Sequence, residues 1–150
     1  MSASRLINLG AEDWLHPAWR DHFYPAGLPD DWLLSYYNTQ FQAVYLSAAR
    51  WQAASTTEWV QWLDDTQPGF RFLLEPGTVP PPCDARVIEA TPDWCAAHLW
   101  WIDASPDLRE LARYASVRAA GGEPFFVISR SGNLDLLEQA RGGGSVDRAL

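Results

Sequence analysis

Residues 6–37 read LINLGAEDWLHPAWRDHFYPAGLPDDWLLSYY, and the succession of patterns in this stretch sets the fold class. Leu6 and Asn8 alternate against Ile7 and Leu9 up to Gly10, which predicts a short strand. An aromatic loop follows, carrying Trp14, His16, Trp19, Arg20, Phe23 and Tyr24 and closed by Pro25. Pro29 with Asp30 or Asp31 then opens a helix, with Trp32, Leu33 and Tyr36 expected on one face. Strand, loop and helix in that order make one βα unit.

The same alternation continues along the chain. FQAVYLSAA (41–49) predicts a second strand. Ser55 and Glu58 form an S-x-x-E capping box, whose hydroxyl and carboxylate satisfy amides left free in a first helical turn. Trp59, Trp62 and Leu63 give that helix its apolar stripe. Phe70, Phe72 and Leu74 alternate in a third strand, and the proline run VPPPCD (79–84) breaks regular structure. ARVIEA (85–90) reads as a short strand. Between Pro92 and Ala104 strand and helix compete. Ser105 and Pro106 supply an N-cap and an N1 proline for a helix carrying Leu108, Leu111, Ala112 and Ala115. Gly121 and Gly122 end it, PFFVIS (124–129) is a strand, and NLDLLEQA (133–140) is a last short helix. Alternating strands and helices predict parallel βαβ units in one α/β domain spanning residues 1–150, with 141–150 as a flexible tail.

Composition narrows the partners. The chain carries 11 cationic and 19 acidic side chains, a net charge of −8, and every cation is arginine. Phosphate backbones repel such a chain, which argues against nucleic acid. No apolar run approaches the length of a membrane span, and MSASRLINLG lacks the apolar core of a signal peptide, so a cytoplasmic location is expected. Nine tryptophans are the unusual count and are expected to serve mainly as core. Cys83, Cys95 and His98 lack the second ligand pair of a structural zinc site, so no metal is expected. Without a P-loop, G-x-G-x-x-G, G-x-S-x-G or H-E-x-x-H motif, no cofactor is expected either.

Gly10, Trp14, Pro17, Trp19, Arg20, Phe23, Tyr24, Pro25, Gly27, Leu28 and Pro29 follow, in order, the pattern G-T-S-G-W-x-Y-P-x-W-R-x-x-F-Y-P with its trailing G-L-P. Trp62, Pro68, Gly69, Phe70 and Phe72 give the W-x-x-x-x-x-P-G-F-x-F run that precedes the third strand in the same pattern. Over residues 6–76 the chain therefore resembles the YecE-like family, domain-of-unknown-function family 72, and residues 105–133 resemble it loosely. The resemblance implies a TIM-type (β/α) barrel of unestablished activity. An eight-unit barrel needs about 250 residues, so this chain has room for a reduced barrel or half-barrel of about five or six mostly parallel strands. An opened barrel exposes edges and one sheet face, and the expected cover is a second copy in a homodimer or a protein partner.

Departures from the family pattern concentrate where a barrel carries its site. Ala11, Glu12 and Asp13 stand at positions where the resemblance implies Thr, Ser and Gly. Tyr45 and Ser47 replace an acid and an amide of the second strand, and Glu75 replaces a lysine of the third. Barrel function sits at the C-terminal ends of strands, which nominates Glu12, Asp13, Trp14, His16, Ser47, Arg50, Glu75, Asp103 and Arg130. Two readings follow. One is a binding or interaction scaffold with a degenerate barrel-mouth site, taking a small molecule or a protein through Trp14, His16, Trp19, Arg20, Tyr45, Ser47 and Arg50. The other is a small hydrolase using His16, whose pKa suits acid–base work, with Glu12, Asp13 or Glu75. Loss of the acid and amide on the second strand favours the scaffold and leaves open whether the chain is an enzyme.

Overall fold

The computed structural model describes residues 7–149; the side chains of residue 119 and of residues 142–149 lie outside that description. Six strands alternate with helices: β1 (Ile7–Glu12), α1 (Leu33–Gln40), β2 (Ala43–Leu46), α2 (Ala48–Gln52), α3 (Thr56–Asp64), β3 (Arg71–Leu74), β4 (Val87–Glu89), α4 (Pro92–His98), β5 (Leu99–Trp101), α5 (Leu108–Ala120), β6 (Phe125–Ser129) and α6 (Leu134–Ala149). The strands are parallel, and the fold is the expected α/β class, a TIM-like half-barrel. The chain divides into two compact units, one made of Asp13–Ala90 and the other of the described residues up to Glu12 with those from Thr91 onward.

In the Asp13–Ala90 unit, β2, β3 and β4 lie side by side, with Val44 opposite Phe72 and Phe72 opposite Val87. All four residues of β2 are buried, as expected of a parallel strand covered on both faces. This strand is shorter than the sequence predicts. Ser47, expected inside it, instead caps α2 by accepting the Arg50 amide. Both bonds of the expected capping box form on α3: Glu58 N–H donates to Ser55 Oγ at 3.1 Å, and Ser55 N–H donates to Glu58 Oε1 at 3.0 Å. Trp59 and Trp62 are buried on that helix, and the Trp59 ring meets Phe72 at 5.4 Å. The far end of α3 is closed from a distance in sequence. Arg86 Nη1 donates to the carbonyls of Leu63 at 2.7 Å and Thr66 at 3.0 Å, acceptors in the last turn of the helix and just beyond it. Asp84 holds that guanidinium, and Arg86 in turn keeps the Asp84 carboxyl below its ordinary pKa.

The face of α1 differs from expectation. Asp30–Trp32 forms a 3-10 turn ahead of the helix, so the buried positions are Leu33, Leu34 and Tyr37. The tighter turn advances each residue by about 120° rather than about 100°. Trp32 is carried to the surface, where it is 62% exposed.

In the other unit the order is β1-β6-β5, with Leu9 opposite Val127 and Trp100 also opposite Val127. β1 runs past Gly10 to Glu12, so Ala11 and Glu12 belong to the strand rather than to the loop after it. The strand–helix ambiguity after Pro92 resolves into both, in sequence. Thr91 caps α4 by accepting the Trp94 amide at 3.2 Å, and β5 begins immediately afterward. The start of α5 is Asp107, not Ser105 with Pro106. Asp107 Oδ1 accepts the amides of Arg109 and Glu110 at 3.0 and 3.2 Å, and its carbonyl accepts Leu111 N–H. A carboxylate at the N-cap also suits the positive end of the helix dipole. The segment predicted as a flexible tail, 141–150, lies beyond the described side chains except for Arg141.

Candidate functional site

Strand ends in the Asp13–Ala90 unit gather most of the nominated residues, and they gather them mainly for structural work. Asp13 is the first residue of the unit and adopts φ +67°, a left-handed conformation that L-residues other than Asn and Asp rarely take. Its carboxylate makes that conformation tolerable. Oδ1 accepts the amides of Trp14 at 2.7 Å and Leu15 at 3.2 Å, while Oδ2 accepts Arg50 Nε at 2.9 Å. The resemblance implies glycine here, and the positive φ supplies the physical reason. This chain uses a self-bonding aspartate at a position where glycine would need no compensation.

Arg50 reaches this carboxylate from the middle of α2. Its guanidinium lies 5.0 Å from the Trp14 ring and 5.0 Å from the Trp62 ring. Those two rings stand at 90° to each other with centroids 4.9 Å apart. The cation therefore occupies a corner made of two negative ring faces, an arrangement that fixes its orientation as well as attracting it. Nε is committed to Asp13. Among the described residues, neither terminal nitrogen, Nη1 or Nη2, has a hydrogen-bond partner, and the side chain is 26% exposed. Sequence reasoning nominated Arg50 and Trp14 but missed Trp62, which it assigned to the helix core; the i, i+3 stripe of α3 shows only that a face is apolar, not what crosses its end.

The other candidates of this unit are more constrained. Glu75 Oε1 accepts the Ala48 amide at 2.8 Å and so closes the start of α2, while its carbonyl accepts the Trp51 indole at 2.8 Å. Tyr45 is buried within β2. Trp19 is 2% exposed and Trp14 is buried, which withdraws both rings from any open stacking surface. His16 is half-buried, with its ring 4.3 Å from that of Trp19. Arg20 pairs with Asp30, ten residues on, rather than with Asp13 or Asp21 or by stacking on Trp19. Tyr24 donates its hydroxyl to the Trp14 carbonyl at 2.7 Å, and burial, with the Asp13 charge adding to it, pushes its phenol pKa well above the ordinary value.

Nominated residues in the other unit form a separate group. Glu12 Oε1 accepts Arg130 Nη1 at 2.9 Å, and the Arg130 guanidinium lies 3.9 Å from the Trp101 ring centroid. Asp103 follows β5 and organises the turn after β6. Its carboxylate accepts the hydroxyls of Ser129 and Ser131 and the amides of Arg130 and Ser131. Gly132 sits at φ +71° in the same turn, and Asn133 caps α6 through the Leu136 amide. Amides and hydroxyls converging after a barrel strand resemble an anion cradle, and here the protein's own carboxylate fills it.

Burial pushes the Asp103 pKa up, but the Ser131 and Ser129 hydroxyls and the two backbone amides outweigh it, and the net shift is downward. A lowered native pKa stabilises the fold above the unfolded aspartate value of about 3.9 and loses that contribution as pH falls through the native value. Asp103→Asn is therefore expected to lower the urea midpoint at neutral pH, with the gap from wild type closing toward pH 3. A gap that stays constant across that range would exclude the linkage.

Cys95 is a half-buried cysteine on α4 whose thiol pKa is raised by burial. Among the described residues, no group of three or more His, Cys, Asp and Glu side chains is placed to hold a metal ion, and no helix is long and apolar enough to cross a membrane. Comparison with curated proteins and with solved structures found no match. A family model did match, and it ends where β3 has just finished, leaving residues 105–133 outside it. Its description is "Protein of unknown function DUF72", and over the matched residues, 8–76, the chain is similar to that DUF72, YecE-like family.

Proposed function

We propose that the chain is a cytoplasmic, non-catalytic binding scaffold whose Arg50 corner takes a carboxylate-bearing ligand. The observation that carries this reading is the half-used guanidinium. Asp13 holds Nε, Trp14 and Trp62 wall the plane, and Nη1 and Nη2 have no hydrogen-bond partner among the described residues. That leaves the end-on edge of the fork, two parallel N–H donors whose spacing matches the two oxygens of a carboxylate. Its orientation is set before any ligand arrives, which lowers the ordering cost of binding. A net charge of −8 disfavours multiply charged anions at the same place.

The hydrolase alternative needs a carboxylate free to work with His16. Glu12 is engaged by Arg130, Asp13 by Arg50 and two amides, and Glu75 by the α2 terminus. These engagements support the scaffold reading.

Calorimetric titration with acetate, succinate and benzoate tests the proposal. Wild-type protein is expected to bind at least one of them, and Arg50→Met to weaken that binding by about tenfold or more, the effect of losing a charge-assisted pair of bonds. Arg50→Lys should restore little, because an ammonium cannot present a planar fork. Unchanged affinity in Arg50→Met, or no binding by wild type, refutes the assignment.

A further inference from the structure

The described surface also holds an open groove of about 650 Å³ on the helical side of the Asp13–Ala90 unit, away from the Arg50 corner in sequence and in lining residues. Leu28, Trp32 and Tyr36 give it an apolar floor, and Asp31, Gln61 and Asp65 its polar parts. Two features of this groove lack an internal explanation. Trp32 is 62% exposed, a rare setting for the largest apolar side chain, and among the described residues its ring meets no other ring and its indole N–H has no acceptor. The Asp31 carboxylate makes no hydrogen bond or ion pair among those residues either. Asp65 accepts Gln61 Nε2 at 2.9 Å through one oxygen only. No cationic side chain lines the groove; Arg71, the nearest arginine in sequence, donates to the Pro68 and Phe70 carbonyls, and Arg20 is held by Asp30.

We propose that this groove docks a basic segment of a partner protein, with an arginine or lysine side chain stacked on Trp32 between the carboxylates of Asp31 and Asp65. Charge sets the sign of the occupant: two carboxylates without a cation, in a chain of net charge −8, attract a positive group and repel an acidic one. The exposed indole adds the chemistry, since tryptophan is the strongest cation–π acceptor among side chains and a frequent anchor of protein interfaces. Shape sets the size. Small-ligand sites bury most of their ligand, whereas a tryptophan this exposed forms an open shelf that suits an extended chain lying across α1 and α3. The 3-10 turn over Asp30–Trp32 is what points this residue outward, so the groove depends on the same local geometry that upset the expected helix face.

The experiment uses the full chain, uniformly labelled, with the Trp32 indole N–H and the backbone amides of residues 31–39 observed by NMR during titration with the peptide acetyl-Arg-Arg-Arg-Arg-amide, the amides giving the affinity of the Trp32 variant. The expected result is a saturable shift at Trp32, no comparable shift with tetraglutamate, and affinity lower by about three- to fivefold in each of Trp32→Ala and Asp31→Asn. Glu138→Gln, an exposed acid of the other unit, should bind as wild type does. Equal affinity in Trp32→Ala overturns the proposal in favour of diffuse attraction to an acidic protein. Tighter binding of tetramethylammonium than of the peptide overturns it in favour of a small organic cation. A two-chain mass in light scattering that falls to one chain in Trp32→Ala would give the groove to a second copy of the chain instead. Failure here leaves the carboxylate titration at Arg50 unaffected, because the two sites share no residue.

Discussion

Replacing Trp19 with alanine is expected to destabilise the protein by about 3–5 kcal/mol, the cost of removing a large aromatic from a packed interior. The side chain is almost entirely buried, and its ring centroid lies 4.3 Å from His16, 4.9 Å from Phe23, 5.8 Å from Tyr24 and 6.1 Å from Tyr37. Its backbone closes the loop as well, with Trp19 N–H donating to the His16 carbonyl and the Trp19 carbonyl accepting the amides of His22 and Tyr24. Truncation would leave a cavity bounded by four rings that cannot collapse together without moving the loop from β1 to α1. A typical domain has about 5–15 kcal/mol in total, so this single change removes a large share. Urea denaturation followed by circular dichroism reads it directly. Trp32→Ala, at the surface of the same unit, is the control and should fall within about 0.5 kcal/mol of wild type. A Trp19→Ala protein of unaltered midpoint would return that residue to the list of ligand contacts.

The contrast between these two tryptophans also marks how far sequence can be read here. Binary patterns identified the strands and most helices because apolar spacing is set by burial, and burial is what the α/β fold enforces at every element. The capping box at Ser55 and Glu58 was legible because both partners lie within one turn. Trp32 was misplaced because a 3-10 entry rotates the face by about 20° per residue, and nothing in PDDWLL distinguishes that entry from a regular first turn. Asp107 was overlooked as a cap in favour of Ser105, since Ser-Pro and Asp are both good starts and only the backbone path decides. The candidate site was legible by position and not by role. Glu75, Ser47 and Asp103 do stand at strand ends, yet each carboxylate or hydroxyl is taken up by amides that the same strand-to-helix turns leave unsatisfied. Those partners lie 3 to 27 residues away, and the longer separations have no signature in a single sequence. The Arg86 latch on the end of α3, spanning 20 and 23 residues to its carbonyls, escaped notice for the same reason.

Asp13 is the position at which sequence departure and structural necessity meet, and a three-member series there has an expected order. Asp13→Ala should cost the most, about 2–4 kcal/mol, because it loses charge-assisted bonds and also places a Cβ in the left-handed region without a side-chain bond to offset it. Asp13→Asn should cost least, about 1 kcal/mol. The amide oxygen can still accept from Trp14 and Leu15, and Asn tolerates φ +67°, so the loss is confined to the Arg50 bond, which the donating Nδ2 cannot accept. Asp13→Gly should fall between them: it removes the backbone penalty and also every carboxylate contact, while adding flexibility to the unfolded chain. Denaturation midpoints give the order, and an alanine variant as stable as the asparagine variant would show that the backbone carries no strain for the carboxylate to offset. The series separates stability from binding as well. Asp13→Gly recreates the residue implied by the family pattern and releases Nε of Arg50, so its guanidinium loses one of the two constraints that aim it. Carboxylate affinity at Arg50 should therefore drop in Asp13→Gly, and also in Asp13→Asn, whose Nδ2 donates and cannot hold Nε–H, in proportion to lost orientation rather than lost fold. A glycine variant that binds as well as wild type would mean that the corner of Trp14 and Trp62 alone holds the cation in place.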